Sequence, residues 1–595
     1  MCGIIAYTGN KDAVTVVLEC LKKLEYRGYD SWGIAAVTGD SISQVKRVGK
    51  IGEVGISQVK EAIKSENHTA IAHTRWATHG GVTQQNAHPH LDCTGTIAVV
   101  HNGIVDNHDE LKGGLAGHRF ISQTDTEIIP HLIETLAKRM EFGRAAVEAA
   151  KMLNGRSAFV AIDSKSGMLI AVRKGSPLIV GVNGAGAGEF FVGSDVMAFL
   201  DYTNKVMYLD DGECVVTDGS GTAPKFFALD TGKELQKRVV DIHWHRGSAE
   251  KEGYDHFFIK EIMEQKHTIA AAINQDDDKI MAVADAIRNA FGTFLVGCGT
   301  AGKVCMTGEY LFSRIANKHI NSVIASEFAN YQHYLTPRTL MIPISQSGET
   351  ADVLEAIEVA KSKNSRVISL LNVFGSTMMR ASDDFFMVNA GAEMAVVSTK
   401  ATTAQLAVLT LLAYAAAGEL QEGKFLLMNT AGSVNDMLNP RYEEHIRNLA
   451  VSLAGKKDIL IIGRGLNYPI ALEAAIKLQE ACCIPAQGFA GGELKHGPLA
   501  LVEEGTPCIA IVANDETKND MLGSVMEVKA RGGYIIGISP QSHSSFDYWL
   551  KVPDAGNASP IVNIIPVQIL AYHIAILRGL NPDYPRNLAK SVTVK

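Results

Sequence analysis

The chain has 595 residues, room for two to four domains at about 150 residues each. Hydrophobic residues at 46% and charged residues at 20% suit folded cores and argue against a disordered chain. Lys and Arg total 56 against 64 Asp and Glu, a net charge of −8 with no basic stripe, which argues against a dedicated nucleic-acid binder. Nine Cys are too sparse for a disulfide framework, and no C-x-x-C pair occurs. Adjacent Cys482 and Cys483 are badly placed to bridge each other or to share a metal. A reducing, cytoplasmic compartment is therefore expected. The Met-Cys-Gly-Ile-Ile start lacks the basic region of a signal peptide. The longest apolar stretch read as a possible membrane span, Leu406 to Ala417, has only helix-core length.

Residues 1–225 read as short β segments with a few helices. Short apolar runs at Thr96 to Val100, Ser157 to Asp163, Met168 to Arg173, Leu178 to Val182 and Glu189 to Val192 are bounded by Gly, Asn or Asp and predict antiparallel sheets. Helical periodicity marks Ala13 to Leu24, Thr126 to Lys138 and Phe142 to Leu153. The class is α+β, with helices layered on sheets. Apolar patterning fades over 226–255, which is taken as a linker.

From residue 256 strands and helices alternate, and the chain repeats itself. Phe294–Gly299 recurs about 166 positions later as Leu460–Gly465, Leu340–Ile344 as Thr506–Ala510, and Arg366–Leu370 as Tyr534–Ile538. Each copy closes on an apolar helix, around Gln405 and Gln568. Two tandem α/β domains, 256–425 and 426–585, with parallel doubly wound sheets are expected, followed by a tail at 586–595. Such sheets bind ligands at the carboxyl ends of their strands.

Cys2 stands out by position. Removal of Met1 before a small residue gives it a free α-amine, whose reference pKa of about 7.7–8.0 suits a base near neutral pH. Arg75-Trp-Ala-Thr-His-Gly80 follows an apolar run, and His101-Asn-Gly-Ile104 follows another. Asn102 and Gly103 can offer two donors to one oxyanion. Asp125, in Thr124-Asp-Thr-Glu127, opens a helix and reads as an N-cap or as an ammonium ligand. In the second half, Ser345-Gln-Ser-Gly-Glu-Thr350 joins a strand to a helix N-terminus, a phosphate-binding arrangement without the Lys of a Walker loop. Glu473, Lys477 and Glu480 share one helix face, as an exposed ion-pair ladder or as part of a site. His88/His90 and His243/His245 lack Cys or acidic neighbours at a suitable spacing and are read as structural or surface residues, and no metal site is expected.

The Cys-Gly-Ile start, Tyr26-Arg-Gly-Tyr-Asp-Ser31 and the RWATHG, HNG and TDTE runs, in that order, resemble the glutaminase domain of class II glutamine amidotransferases, an N-terminal-nucleophile αββα fold. The resemblance implies that Cys2 attacks the γ-amide of glutamine while Asn102 and Gly103 hold the oxyanion. It makes Arg75 the carboxylate clamp, Asp125 the ammonium ligand, and Trp76, Thr78 and His79 further parts of the glutamine site. SQSGET, Ser398-Thr-Lys-Ala401, Gly492-Glu-Leu-Lys-His-Gly-Pro498 and the NLAKSVTV tail resemble tandem sugar isomerase (SIS) domains. Taken whole, the chain resembles the glutamine–fructose-6-phosphate aminotransferases.

That resemblance implies transfer of the glutamine amide nitrogen to fructose 6-phosphate and isomerisation to glucosamine 6-phosphate, the first step towards UDP-N-acetylglucosamine. Thr300, Ser345, Gln346, Ser347, Thr350, Val396, Ser398 and Ala589 would bind the sugar phosphate, with Glu473 and Lys477 in support. His496, from a neighbouring subunit of a homodimer, would open the ring, Lys590 would form a Schiff base, and Glu480 would move the proton. Trp76 would gate an ammonia channel, and no cofactor is implied. Leu588, Val592 and Val594 would bury the tail around Lys590. The chain departs from the family pattern at Ala301 for Ser, Val397 for Ala and Thr402 for Phe. The first would remove a sugar hydrogen bond and the others only repack. Another keto-sugar phosphate as substrate, or a non-catalytic sugar-phosphate sensor, are the competing readings.

Overall fold

Alternate residues of the first strand face two different cores. The computed structural model describes residues 2–64, 66–183, 188–217, 223–242 and 250–593. In the strand Gly3–Thr8, Ile4 and Ala6 point into a core shared with Ala98, Val100, Ala158 and Val160, while Ile5 and Tyr7 pack with Val14, Val17 and Leu21 of the helix Ala13–Lys22. The strand Ile97–Gly103 does the same from the opposite side, with Ile97 and Val99 against Ile129, Ile133 and Ala146 of the helices Ile128–Ala137 and Phe142–Met152. Strands covered on both faces read as continuous apolar runs, although their pairing is antiparallel. The result is helix, sheet, sheet, helix.

The first sheet has eight strands, ordered Val240–Asp241, Lys205–Tyr208, Ile179–Val182, Phe190–Gly193, Gly3–Thr8, Thr69–Arg75, Ser31–Thr38 and Ser41–Val48. The second has seven, ordered Glu234–Leu235, Lys225–Ala228, Glu213–Thr217, Leu169–Lys174, Ser157–Asp163, Ile97–Gly103 and His90–Leu91. The stretch 226–255, expected as a linker, thus supplies strands to both sheets up to Asp241. Its apolar residues are few because short edge strands bury few side chains, here Phe226, Leu229 and Ile242, one in each of the three cores. His243 and His245 lie outside the described residues.

The chain divides into two compact units, Met1–Gly247 with Ala589–Lys595, and Ser248–Leu588. The second unit holds two five-stranded parallel sheets of identical strand order, second-first-third-fourth-fifth. The first three strands of that sheet order are Asn321–Ile324, Gly292–Gly297 and Thr339–Ser345 in one copy and Ala486–Ala490, Ile459–Gly463 and Pro507–Ile511 in the other. Leu295, Ile342 and Ile368 of one sheet and Ile461, Ile509 and Ile536 of the other enter a single core around the helices Lys400–Ala417 and Ser559–Leu577. The boundary expected at 425/426 falls inside the helix Leu420–Met437, and the copies join instead before Pro440–Leu453.

The segment Gly556–Leu577 is long and apolar enough to cross a membrane, and 89% of its apolar window is buried inside the protein. It exceeds Leu406–Ala417, the stretch singled out from the sequence, which overlooked it because Asn563, Pro566 and Gln568 interrupt the apolar run. The tail also differs from expectation. Val592 is exposed, Ser591 and Thr593 are buried, and Val594 lies outside the described residues. Ser591 and Thr593, rather than Val592, face inward there.

A fragment ending at residue 242 is expected to unfold at higher urea than one ending at 225. Phe226, Leu229 and Ile242 each contribute about 1.5–3 kcal/mol when buried. Equal midpoints would show that 226–242 is not part of the fold.

Candidate functional site

Cys2 precedes a strand pinned on both edges, by Thr69–Arg75 and by Phe190–Gly193. The register Gly3 to Thr74 brings Cys2 to the end of the neighbouring strand. There the Trp76 N–H lies 3.3 Å from Cys2 Sγ, and the thiol lies 3.5 Å from the Trp76 carbonyl. Burial pushes the thiol pKa up, opposed by the Trp76 N–H and the Arg75 charge. A thiol held protonated needs a base to take its proton.

Asn102 and Gly103 end a strand of the second sheet. The Asn102 amide donates to the Cys2 carbonyl at 3.0 Å, so its oxygen faces the other way, towards His73 Nε2 at 3.1 Å. His73 Nε2 also faces the His101 carbonyl at 3.0 Å. Both neighbours are acceptors, which assigns the proton to Nε2. Burial pushes His73 down to about 3, so the ring is neutral, and it stacks on His88 with centroids 4.1 Å apart. His73 therefore fixes which way round the Asn102 amide sits, a role the sequence reading missed although the residue lies just upstream of RWATHG. Gly103 has φ +129°, and a Cβ there would come 2.0 Å from the Arg156 carbonyl oxygen, so only glycine fits.

Arg75 is buried, and its guanidinium donates to the carbonyls of His79, Gly80 (3.2 Å) and Gly81 (3.1 Å). It shapes the turn that carries Thr78, which is exposed, and His79, whose ring meets His108 edge-on. Asp30 accepts from the Ala77 N–H at 2.8 Å, and Tyr29 meets the Trp76 ring edge-on at 5.7 Å. Asp125 is buried at the start of a short 3₁₀ turn, and its Oδ2 accepts from the Val105 N–H at 2.7 Å. It is not the N-cap, a position held by Thr124. His88 and His90 are buried, with Thr124 Oγ1 2.9 Å from His90 Nε2, consistent with structural roles.

In the second unit, the strand order changes direction between Gly292–Gly297 and Thr339–Ser345, which is where doubly wound sheets bind ligands. The loop after the second of these carries Ser345 to Thr350. Ser345 Oγ accepts from the Gly348 N–H at 3.0 Å and lies 3.1 Å from Thr350 Oγ1, and Ser347 Oγ accepts from the Glu349 N–H at 3.2 Å. Glu349 ties the loop to the Thr377 N–H and hydroxyl, both at 2.7 Å. Gly348 has φ +66°, and a Cβ would come 2.2 Å from Ser376 Oγ. Gln346 is half-buried beside them. The hydroxyls face the N-terminus of the helix Ala351–Ser362, an arrangement suited to a phosphate.

Thr300, in the first turn of the helix Gly299–Ala316 that follows the other strand, donates to Glu473 Oε1 at 3.0 Å and accepts from Lys477 Nζ at 3.2 Å. Lys477 is fully buried and also reaches Glu473 (3.2 Å), Glu480 (2.8 Å) and the Ser398 carbonyl (3.3 Å). The ladder is therefore an internal cluster, not a solvated one. Burial alone would lower the Lys477 pKa, but Glu473 and Glu480 outweigh it and hold the ammonium charged. Burial raises the Glu473 carboxyl, and Lys477 opposes that shift. Val396 donates its N–H to the Asp583 carbonyl at 2.9 Å, which fixes the strap before Ser398. Val397 packs in the core, as expected. Thr402 does more than repack, because its hydroxyl lies 3.1 Å from Ser398 Oγ. His496 is exposed on a 3₁₀ turn, while Ala589 and the half-buried Lys590 belong to the first unit.

Residues 286–415 and 452–578 match the SIS domain family, and residues 73–201 match the glutamine amidotransferase domain family. The chain is 43% identical to the glutamine–fructose-6-phosphate aminotransferase [isomerizing] of Thermococcus kodakarensis and 41% identical to that of Methanothermobacter thermautotrophicus, covering 100% of this chain and 100% of each relative. Among solved structures, the C-terminal domain of the glucosamine-fructose-6-phosphate aminotransferase of Francisella tularensis matches 56% of this chain and 100% of that one, at 34% identity and a TM-score of 0.53.

His73→Phe preserves ring volume but removes the donor that orients Asn102. Glutamine hydrolysis should fall about 100-fold in kcat, the order of losing one oxyanion donor, with KM little changed. An unchanged kcat would remove His73 from this role. Lys477→Met leaves two carboxylates unpaired and should cost about 3–5 kcal/mol, read as a lower urea midpoint for the second unit.

Proposed function

This chain belongs to the glutamine–fructose-6-phosphate aminotransferase (isomerizing) family, and from that premise we propose how its own residues divide the reaction. The enzyme transfers the amide nitrogen of glutamine to fructose 6-phosphate and isomerises the product to glucosamine 6-phosphate, releasing glutamate. The observation that carries the proposal is the pairing, in one chain, of a half-buried thiol at the second residue with a phosphate-type loop at a parallel-sheet switch point.

In the first unit, Cys2 Sγ adds to the γ-carbonyl of glutamine. Its proton passes to the α-amine exposed by removal of Met1 and then to the leaving nitrogen, so ammonia departs. Water hydrolyses the thioester to glutamate. Asn102 Nδ2 and the Gly103 N–H hold the oxyanion, supported by the orientation His73 imposes on the amide. Asp125 takes the α-ammonium and Arg75 the α-carboxylate, with Thr78 and His79 on the surrounding turn. Trp76 gates the exit of ammonia.

In the second unit, Ser345, Gln346, Ser347 and Thr350 hold the phosphate, and Thr300, Val396 and Ser398 line the sugar. His496 of a second copy assists ring opening, which makes the working form a homodimer. Lys590 forms the imine at C2 with loss of water, and ammonia then displaces the lysine. Lys477 is unsuited to that task, because its amine is held charged between two carboxylates. Glu480 removes a proton from C1 and returns it to C2, and Glu473 and Lys477 set the field around it. These steps need neither metal nor organic cofactor. The sparse, unpaired cysteines and the soluble substrates favour a cytoplasmic enzyme.

Glutamine and fructose 6-phosphate together should yield glucosamine 6-phosphate, identified by mass and by co-migration with the authentic compound. A different keto-sugar phosphate turned over faster would redirect the specificity, which Ala301 and Thr402 bear on. Borohydride with fructose 6-phosphate should add one hexose-phosphate mass to the Lys590 peptide. Lys590→Arg should lose synthase activity and keep glutamine hydrolysis, while Cys2→Ala should do the reverse with free ammonia as nitrogen donor. Trapping at Lys477 would move the imine and sink this division.

A further inference from the structure

A second cluster of chemically active side chains lies in the first unit, away from Cys2 in sequence and unused by the reaction. Cys93 sits on the turn between the strands His90–Leu91 and Ile97–Gly103. His118 sits on the connection before Thr124, and His131 and Glu134 lie one turn apart on the helix Ile128–Ala137. One ligand atom from each lies within 4.8 Å of all the others.

The distances between these atoms match a tetrahedron. Zinc with bonds of about 2.3 Å to sulfur and about 2.0–2.1 Å to nitrogen or oxygen has edges of about 3.6 Å between sulfur and nitrogen and about 3.3 Å between the lighter ligands. Cys93 Sγ lies 3.6 Å from His118 Nδ1 and 3.6 Å from His131 Nδ1. The two Nδ1 atoms are 3.2 Å apart, and Glu134 Oε2 is 3.1 Å from His118 Nδ1 and 3.5 Å from His131 Nδ1.

The outer contacts of His118 leave its Nδ1 lone pair pointing inward. Thr135 Oγ1 donates to the His131 carbonyl at 2.9 Å, so at 2.9 Å from His118 Nε2 it accepts. His118 thus carries its proton on Nε2 and presents a bare Nδ1. His131 Nε2 is buried without a hydrogen-bond partner, 3.9 Å from Glu127 Oε1, and its Nδ1 also faces the cluster. Cys93 Sγ accepts from the Arg119 N–H at 3.4 Å, and Glu134 Oε2 accepts from the Cys93 N–H at 3.0 Å. The bare His118 Nδ1, the Cys93 sulfur and the Glu134 oxygen face one another around His131 Nδ1, an arrangement that a cation at their centre satisfies.

We propose that Cys93, His118, His131 and Glu134 bind one Zn²⁺. One thiolate, two imidazoles and a carboxylate are a borderline-soft set, which suits zinc over magnesium or calcium. Four protein ligands close the coordination sphere, so the site is structural rather than catalytic. Binding displaces the Cys93 thiol proton into solvent, and the exposed Cys93 edge gives the ion its entry. The ion ties the 92–96 turn and the segment around His118 to the helix that follows Asp125. That segment is already anchored where Glu127 accepts from the Ile121 and Ser122 N–H groups, both at 2.7 Å. The consequence for glutamine binding rests on the Asp125 assignment above, whereas the zinc site itself does not.

The test uses the full-length chain as Cys2→Ala, so that the catalytic thiol cannot act as a ligand. After dialysis against metal-free buffer, elemental mass spectrometry should count one zinc per chain. Cobalt replacement should give tetrahedral visible bands with a thiolate charge-transfer band. Cys93→Ser should lose the charge-transfer band, and His118→Gln with Cys93→Ser should lose the ion. With free zinc about 100-fold above its dissociation constant, tryptic cleavage after Arg119 should slow about 100-fold relative to chelated protein. The zinc count and the cleavage rate are read on a chain with all four ligands intact, so neither depends on the site variants folding. No zinc under a micromolar excess, undiminished zinc in the double variant, or equal cleavage rates would each overturn the proposal.

Discussion

A residue near a chain end has little preceding backbone to hold it, and termini fray unless tied down. The first unit meets that constraint by placing the strand after Cys2 inside an eight-stranded sheet, paired on both edges. The Trp76 N–H then fixes the sulfur, and the Asn102 amide reaches from the other sheet to the Cys2 carbonyl. Everything nearby serves that meeting of two sheets. Asp30 holds the turn after Trp76, His73 sets the Asn102 amide, and the bare Cα of Gly103 lets the second sheet approach.

The second unit rests on a buried charge instead. Lys477 compensates two carboxylates and reaches back to Thr300 and to the Ser398 carbonyl, so it joins the two SIS copies at one point. The copies share strand order but not chemistry at their strand ends. Where the first has Ser345 to Thr350, the second has Asp515 and Glu516. Asp515 accepts from the Thr517 N–H at 2.9 Å and from its hydroxyl at 2.7 Å, and Glu516 pairs with Arg314. Acidic side chains at that position disfavour a phosphate dianion, so the hydroxyl-rich loop is not repeated in the second copy.

Local patterns were legible in the sequence and long-range ones were not. The strands at Ser157–Asp163 and Ile179–Val182 and the helix Phe142–Met152 lie within a residue or so of their expected limits, because apolar runs and turn residues decide them locally. The Ser345–Thr350 loop was legible for the same reason: strand, Gly and helix start are contiguous. Asp125 was misread as a possible cap because its partner, Val105, comes from a distant loop. The 226–241 strands were missed because edge strands carry little apolar signal. Thr402 reads as packing in the sequence because its partner hydroxyl is invisible without the helix turn that presents it. Cys93, His118, His131 and Glu134 escaped notice because three separate elements bring them together, and only the His-x-x-Glu step on one helix is local.

The core shared by the two SIS copies has a thermodynamic consequence. Each copy packs only the outer face of its sheet within itself, while the inner faces meet around Lys400–Ala417 and Ser559–Leu577. Neither copy can open without exposing the other's interior, so the pair is a single cooperative unit and sub-global opening is confined to its outer layers. Duplication has therefore not produced two independent modules. A core substitution in one copy is transmitted to the stability of both, and their sequences are free to diverge only at the outer faces and at the strand ends.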